Sequence, residues 1–203
     1  MMTGRGFWLI AAMIAPLALW SGSASAAASF MPTGNPTSQP IGHYEFCKKL
    51  PIECEERTPV EAPIELTRQL WAEMIAINNS VNTNVLPRTD MEMWGKEEVW
   101  SYPGRYGDCE DYALEKRREL MQKGVPAGDV LMTVVRQQNG DGHAVLTVRT
   151  SLGDYILDNL EPRVLAWTDT KYQYLKRQSE TDSGEWVSIR DDRATTVAVG
   201  SVK

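Results

Sequence analysis

The 203-residue sequence is short of basic charge, with 21 Lys and Arg against 27 Asp and Glu and a formal net charge of −6. A general nucleic-acid binder needs a basic face that displaces counterions from phosphates, so no nucleic-acid partner is expected. Beyond its first twenty residues the chain also lacks any long apolar run, which excludes a membrane-spanning body there. Cysteine is scarce and odd in number, three in all. In an oxidising compartment two can pair, and the third must stay free or act. What is present, 42% hydrophobic and 24% charged residues, suits one globular domain with a sizeable core rather than a disordered chain.

Arg5 is the only charge before the apolar run from Gly6 to Trp20, and small residues fill Ser21 to Ala28. A basic start, an apolar stretch and an A-x-A site describe a signal peptide, cut most simply after Ala26. A transmembrane anchor is the alternative, but it needs about 20 apolar residues. This run is shorter and is broken by Pro16. Residues 1–26 are therefore expected to be a cleaved signal peptide. Residues 27–42, rich in Pro, Ser, Thr, Gly and Asn, read as an extended or flexible arm, and 43–203 as the folded domain.

Export changes how the cysteines read. Cys47 and Cys54 lie close together around Pro51, and a short loop of this kind is easily closed by a disulfide. The competing reading, a metal site with His43 as third ligand, wants a fourth ligand and a tighter spacing. With the pair bonded, Cys109 is left without a partner.

Pro63 suits the first turn of a helix, and Leu66, Leu70, Met74, Ile77 and Val81 follow at spacings of three and four, predicting a helix to about Asn79. From Asn82 to Pro103 a loop with one short helical turn is expected. A second helix should open near Asp108 and run through Met121, with acids in its first turn, bases later, and Gly124 and Pro126 beyond its end. The period then changes to two: Val130 to Arg136, His143 to Arg149, Tyr155 to Asp158, Tyr172 to Arg177 and Trp186 to Arg190 read as strands. Helices followed by an antiparallel sheet make an α+β domain.

Three residues in this order carry chemistry. Cys109 opens a helix, where the N-terminal dipole favours a thiolate. His143 starts a strand and can take the thiol proton, and Asp158 ends the next strand and can fix the imidazole tautomer. Blander roles exist for each: a buried thiol, a turn-adjacent histidine, a turn-capping aspartate. Asp154 is a rival carboxylate, placed by the sequence in the turn.

The run Tyr106 to Ala113, Gly142-His143-Ala144-Val145-Leu146 and Tyr155-Ile156-Leu157-Asp158-Asn159 resemble the bacterial transglutaminase-like cysteine proteases of the periplasmic LapG type. The similarity extends from Phe46 to about Ser179 and includes Trp94-Gly95, Gly124-Val125-Pro126 and Tyr172 to Gln178. It implies a papain-like or transglutaminase-like fold and a Cys109, His143, Asp158 triad. It also implies a periplasmic location and a protein substrate, a large surface adhesin whose release controls biofilm attachment, with an inner-membrane receptor as regulator.

Asp108, Glu110 and Asp111 crowd the thiol, and their charge opposes thiolate formation unless they point away or a cation offsets them. Hard oxygen ligands at this density suit Ca²⁺. The resemblance implies calcium dependence, with Asp108, Glu110 and Asp111 as ligands. The alternative is that these acids only stabilise the helix N-terminus. For an oxyanion, the Cys109 N–H and one of Asn78, Asn79, Asn82 or Asn84 are candidates. Trp94, Trp100 and Trp167 belong either to the core or to a peptide groove. The leading expectation is a cysteine endopeptidase acting through a thioester. Transglutaminase or amidase activity from the same triad, and a non-catalytic calcium-regulated binding module, are the alternatives.

Overall fold

The computed structural model describes Met1 and residues 29–192. Apart from Met1, the expected signal peptide lies outside these described residues. Among them, seven strands form one antiparallel sheet in the order β1-β9-β8-β4-β5-β6-β7. These are β1 (Thr33–Thr37), β4 (Val130–Arg136), β5 (Gly142–Thr150), β6 (Gly153–Leu157), β7 (Leu165–Ala166), β8 (Gln173–Gln178) and β9 (Trp186–Ile189). The helices are α1 (Ile41–Lys49), α2 (Arg68–Asn84), α3 (Asp90–Trp94) and α4 (Cys109–Gln122), with a short parallel pair, β2 (Leu86–Pro87) and β3 (Tyr106–Gly107), beside them. The fold is α+β, as expected, and the five strand segments read from the period-two pattern all form.

Alternation sorts the strand side chains between two cores. Met132, Leu146, Val148 and Leu157 pack with Leu70, Met74, Ile77 and Val81 of α2 and with Tyr112, Ala113 and Leu120 of α4. Their neighbours Val135, Val145 and Ile156 form the second cluster with Trp167, Tyr174 and Ile189. Burying the apolar stripe of α4 under the sheet fixes where its N-terminus, and therefore Cys109, must lie.

Two expectations are corrected. The first helix begins at Arg68, not at Pro63. The chain from Ile64 is held extended by long-range bonds: the Ile64 N–H donates to Asp129 (3.1 Å), and its carbonyl accepts from the Ser151 N–H (2.8 Å). Thr67 then caps the helix by accepting from the Leu70 N–H (3.1 Å). The segment read as an extended or flexible arm is extended and pinned, since Thr33–Thr37 pairs with β9 as the edge strand. Cys47 and Cys54 are disulfide-bonded, with Cα atoms 5.6 Å apart. His43 packs beside them with no metal role required, its ring accepting from the Trp186 indole N–H (3.2 Å).

Candidate functional site

Cys109 is the first residue of α4 and the free cysteine of the chain. It lies on the helix that packs on β5, and the Ala144 backbone there favours the ionised thiol. The neighbouring residue on that strand is His143. Pairing of β5 with β6 ends at Leu146 opposite Leu157, so Asp158 leaves β6 beside the His143 end of β5. The two side chains meet there, His143 Nε2 to Asp158 Oδ1 at 2.9 Å. Nδ1 is then the ring nitrogen that the carboxylate leaves unengaged. The rival Asp154 sits on β6 opposite Arg149, not in the turn, and its carboxylate accepts from the Met31 N–H (2.8 Å).

Asp158 is 2% exposed and well supported. Oδ1 also accepts from the Leu160 N–H (3.0 Å), and Oδ2 accepts from the Tyr172 hydroxyl. The Tyr172 ring packs 5.5 Å from that of His143. Burial alone would raise the Asp158 pKa, but the His143 hydrogen bond and charge, with those from Leu160 and Tyr172, hold it below the usual aspartate value. Asn82 fixes the backbone at this point, donating to the Asp158 carbonyl (2.8 Å).

The other side of Cys109 is a cluster of carboxylates. Asp90, Asp108 and Glu110 bring one oxygen each within 4.8 Å of one another. Asp108 accepts from the Asp90 N–H (3.0 Å), tying α3 to the start of α4, and Asp90 accepts from the Val99 N–H. Glu110 Oε2 accepts from the Cys109 thiol (3.2 Å). Asp111 accepts from the Ser101 N–H (2.8 Å), and the three acids whose oxygens gather most closely are Asp90, Asp108 and Glu110. Gly107 permits the crowding, since a Cβ there would come within 2.9 Å of the Asp111 Cβ. Burial and then the charge of Asp108 push Glu110 up to about 9, and burial, with Asp108 and Asp90, pushes Asp111 up to about 7. Asp90 is raised in the same way by burial. The Cys109 thiol is also pushed up, by burial and then by Glu110.

The buried oxygens Asp90 Oδ1, Asp108 Oδ1 and Asp111 Oδ2 have no hydrogen-bond partner among the described residues. Acceptors without donors, held close together and opposed by their own charge, fit a hard cation such as Ca²⁺.

A cleft of about 210 Å³ opens onto the thiol between Arg88, Thr89, Glu92, Gly107 and Asn159. The four asparagines suggested for an oxyanion point elsewhere. Asn78 donates to the Glu161 and Pro162 carbonyls and Asn82 to that of Asp158, Asn84 bonds Ser80, and Asn79 is exposed on α2. Asn159 lines the cleft instead. Trp100 and Trp167 are core, whereas Trp94 is 57% exposed and borders a separate cleft with Trp100 and Ile41.

The sequence reading missed Asp90, Tyr172 and Asn159. A signal for Asp90 was available in part, because Thr89 and Glu92 form a capping box that marks a helix start. Nothing local says that this start meets α4, eighteen residues on.

A helix-borne thiol against an antiparallel sheet that carries a bonded His–Asp pair defines the class of transglutaminase-like thiol enzymes. The chain belongs to the bacterial transglutaminase-like cysteine proteinase family (BTLCP), whose family model matches residues 33–194. It is a cysteine peptidase of that family. No curated relative matches it. Among solved structures it is similar to Legionella pneumophila LapG, with 24% identity over 61% of this chain and 72% of that one and a TM-score of 0.49. The EGTA-treated form of LapG matches at 22% identity over 62% and 73%, TM-score 0.49, and the calcium-bound form at 20% over 69% and 77%, TM-score 0.47. No helix of the described residues is long and apolar enough to cross a membrane.

Proposed function

We propose that the protein is a periplasmic cysteine endopeptidase with Cys109 as nucleophile, His143 as general base and acid, and Asp158 as the group that orients the imidazole. The observation that carries this reading is the free thiol at the start of α4, a helix packed on β5, together with a histidine of β5 that is itself 2.9 Å from a buried carboxylate. His143 takes the thiol proton as sulfur attacks the scissile carbonyl, then returns a proton to the departing amine. Water hydrolyses the thioester that remains. The Cys109 N–H, at the first position of α4 where the helix offers no acceptor, is the donor we assign to the developing oxyanion, and Asn159 lines the same cleft.

Asp90, Asp108 and Glu110 would hold Ca²⁺, with Asp111 behind them. When bound, the cation supplies the positive charge that offsets these acids and favours the thiolate. The substrate we assign is a surface adhesin, clipped so that cells leave a biofilm, and the regulator an inner-membrane receptor. The exported character of the sequence and its family membership support that assignment.

The test is alkylation of the mature protein across pH with mapping of the modified residue, beside cleavage of candidate adhesins. Selective Cys109 labelling that disappears in His143→Ala, together with loss of cleavage in Cys109→Ala, is expected. Cleavage retained by Cys109→Ala would end the reading, and capture of substrate by that variant would identify the adhesin.

A further inference from the structure

Three of the acids near Cys109 share one pattern. Asp90 Oδ2 accepts from the Val99 N–H, Asp108 Oδ2 from the Asp90 N–H (3.0 Å) and Asp111 Oδ1 from the Ser101 N–H (2.8 Å). The second oxygen of each, Asp90 Oδ1, Asp108 Oδ1 and Asp111 Oδ2, is buried without a partner among the described residues. Asp90 and Asp111 are themselves only 4% and 1% exposed. A carboxylate pinned through one oxygen is oriented at the other, and outer bonds of this kind set the direction of metal ligands. Two of the three pins come from one segment, and Trp100 stands between them.

Trp100 is 3% exposed and packs against α1. A Cβ on Gly42 would come within 2.3 Å of the Trp100 Cδ1 and 2.9 Å of the Glu98 carbonyl oxygen, so helix and segment meet where only glycine fits. The indole also stands edge-on to His43 of α1, with 5.4 Å between ring centroids, and to Trp186 of β9, at 6.1 Å. Its Nε1–H donates back to the Glu98 carboxylate (3.3 Å). Glu98 takes a φ of 57°, in the left-handed region that residues other than glycine seldom adopt. Such a residue persists where its surroundings over-determine it, and these positions gather at ligand clamps. The backbone of residues 98–101 is thus set by packing on α1 rather than by its own preference.

We propose that Trp100, seated against Gly42 and His43, is a positioning residue for the cation: it sets the Val99 and Ser101 N–H groups that pin Asp90 and Asp111, so the packing of α1 helps to fix the affinity for Ca²⁺. The proposal rests on the cation reading given above. It places control of the site on a helix that carries none of the acids assigned to the ion.

The test is calorimetric titration of Ca²⁺ alone into the mature, chelator-stripped protein, with no substrate present. Gly42→Ala alters none of the acids and should weaken binding by about ten- to a hundredfold, the usual cost of losing an outer bond to a metal ligand. Trp100→Phe keeps an apolar ring without the indole and should weaken binding as well, which preserves the test if Gly42→Ala does not fold. Trp167→Phe is the control, a similarly buried tryptophan of the other core. It should lower the melting temperature yet leave the Ca²⁺ affinity within about twofold of the parent's. Parent-like affinity in folded Gly42→Ala or Trp100→Phe overturns the proposal. An equal loss in Trp167→Phe also overturns it, because the effect would then be one of general stability. A parent that binds no Ca²⁺ would instead sink the cation reading, and this proposal with it.

Discussion

Two groups of buried carboxylates flank Cys109, and they are in opposite states. Asp158, on the sheet side, accepts from a ring nitrogen, a backbone N–H and a phenol, and its proton affinity is depressed. Asp90, Glu110 and Asp111, on the loop side, have more acceptor atoms than donors, and their proton affinities are raised. Burial is similar, so burial does not decide the difference. Supply of donors and the sign of the neighbouring charge do. The sheet side is organised by the protein alone, whereas on the loop side the proposed Ca²⁺ would supply what hydrogen-bond donors do not.

The largest expected effect breaks the sheet side. Asp158→Asn should lower kcat/KM by roughly 10²- to 10⁴-fold by removing the group that fixes the imidazole. Its melting temperature should still respond to calcium and chelator as the parent's does. Asp90→Asn should do the reverse, abolishing the response of melting to chelator. Excess chelator applied to the parent should lower both activity and melting temperature. Parent-like activity in excess chelator would show that the loop-side acids need no cation. Smaller still is Tyr172→Phe, which removes one of several donors to Asp158. A hydrogen bond to a charged group contributes roughly 1.5–3 kcal/mol, so steady-state kinetics should show a loss of about ten- to a hundredfold, below that of Asp158→Asn.

Much of this arrangement was legible beforehand, for a physical reason. Cys109, His143 and Asp158 each sit at the end of an element whose own residues announce it: acids then bases on α4, β-branched alternation on β5 and β6. What stayed hidden depends on where separate elements meet. Asp90 reads as the opening of a short helix, and only the docking of α3 on α4 makes it a neighbour of Asp108. Tyr172 precedes a strand and looks like any aromatic. Lys116 and Arg117 stand in a charged run and read as bases of the later helix turns, yet both are buried, Arg117 donating to the Val130 carbonyl (3.1 Å). Pro63 misled because long-range bonds to Asp129 and Ser151 outweigh a local helix preference.

The smallest effect separates the two carboxylate groups by the sign of their linkage to pH. Asp158 has a folded pKa below its unfolded value, so the stability it adds is complete above about pH 4 and is lost as pH falls further. For the loop-side acids the sign reverses. With Asp111 raised to about 7 and Glu110 to about 9, the chelated folded state holds protons that the unfolded chain has released. Its stability must therefore fall as pH rises from about 4 towards those values. Melting curves in chelator between about pH 5 and 8 should show this decline, and saturating calcium should flatten it by making the ionised cluster the favoured state. Asp90→Asn, with one fewer charge to oppose ionisation, should decline less steeply in chelator. A melting temperature that rises with pH in the chelated protein would contradict the picture of an uncompensated acid cluster and leave the two sides of Cys109 alike.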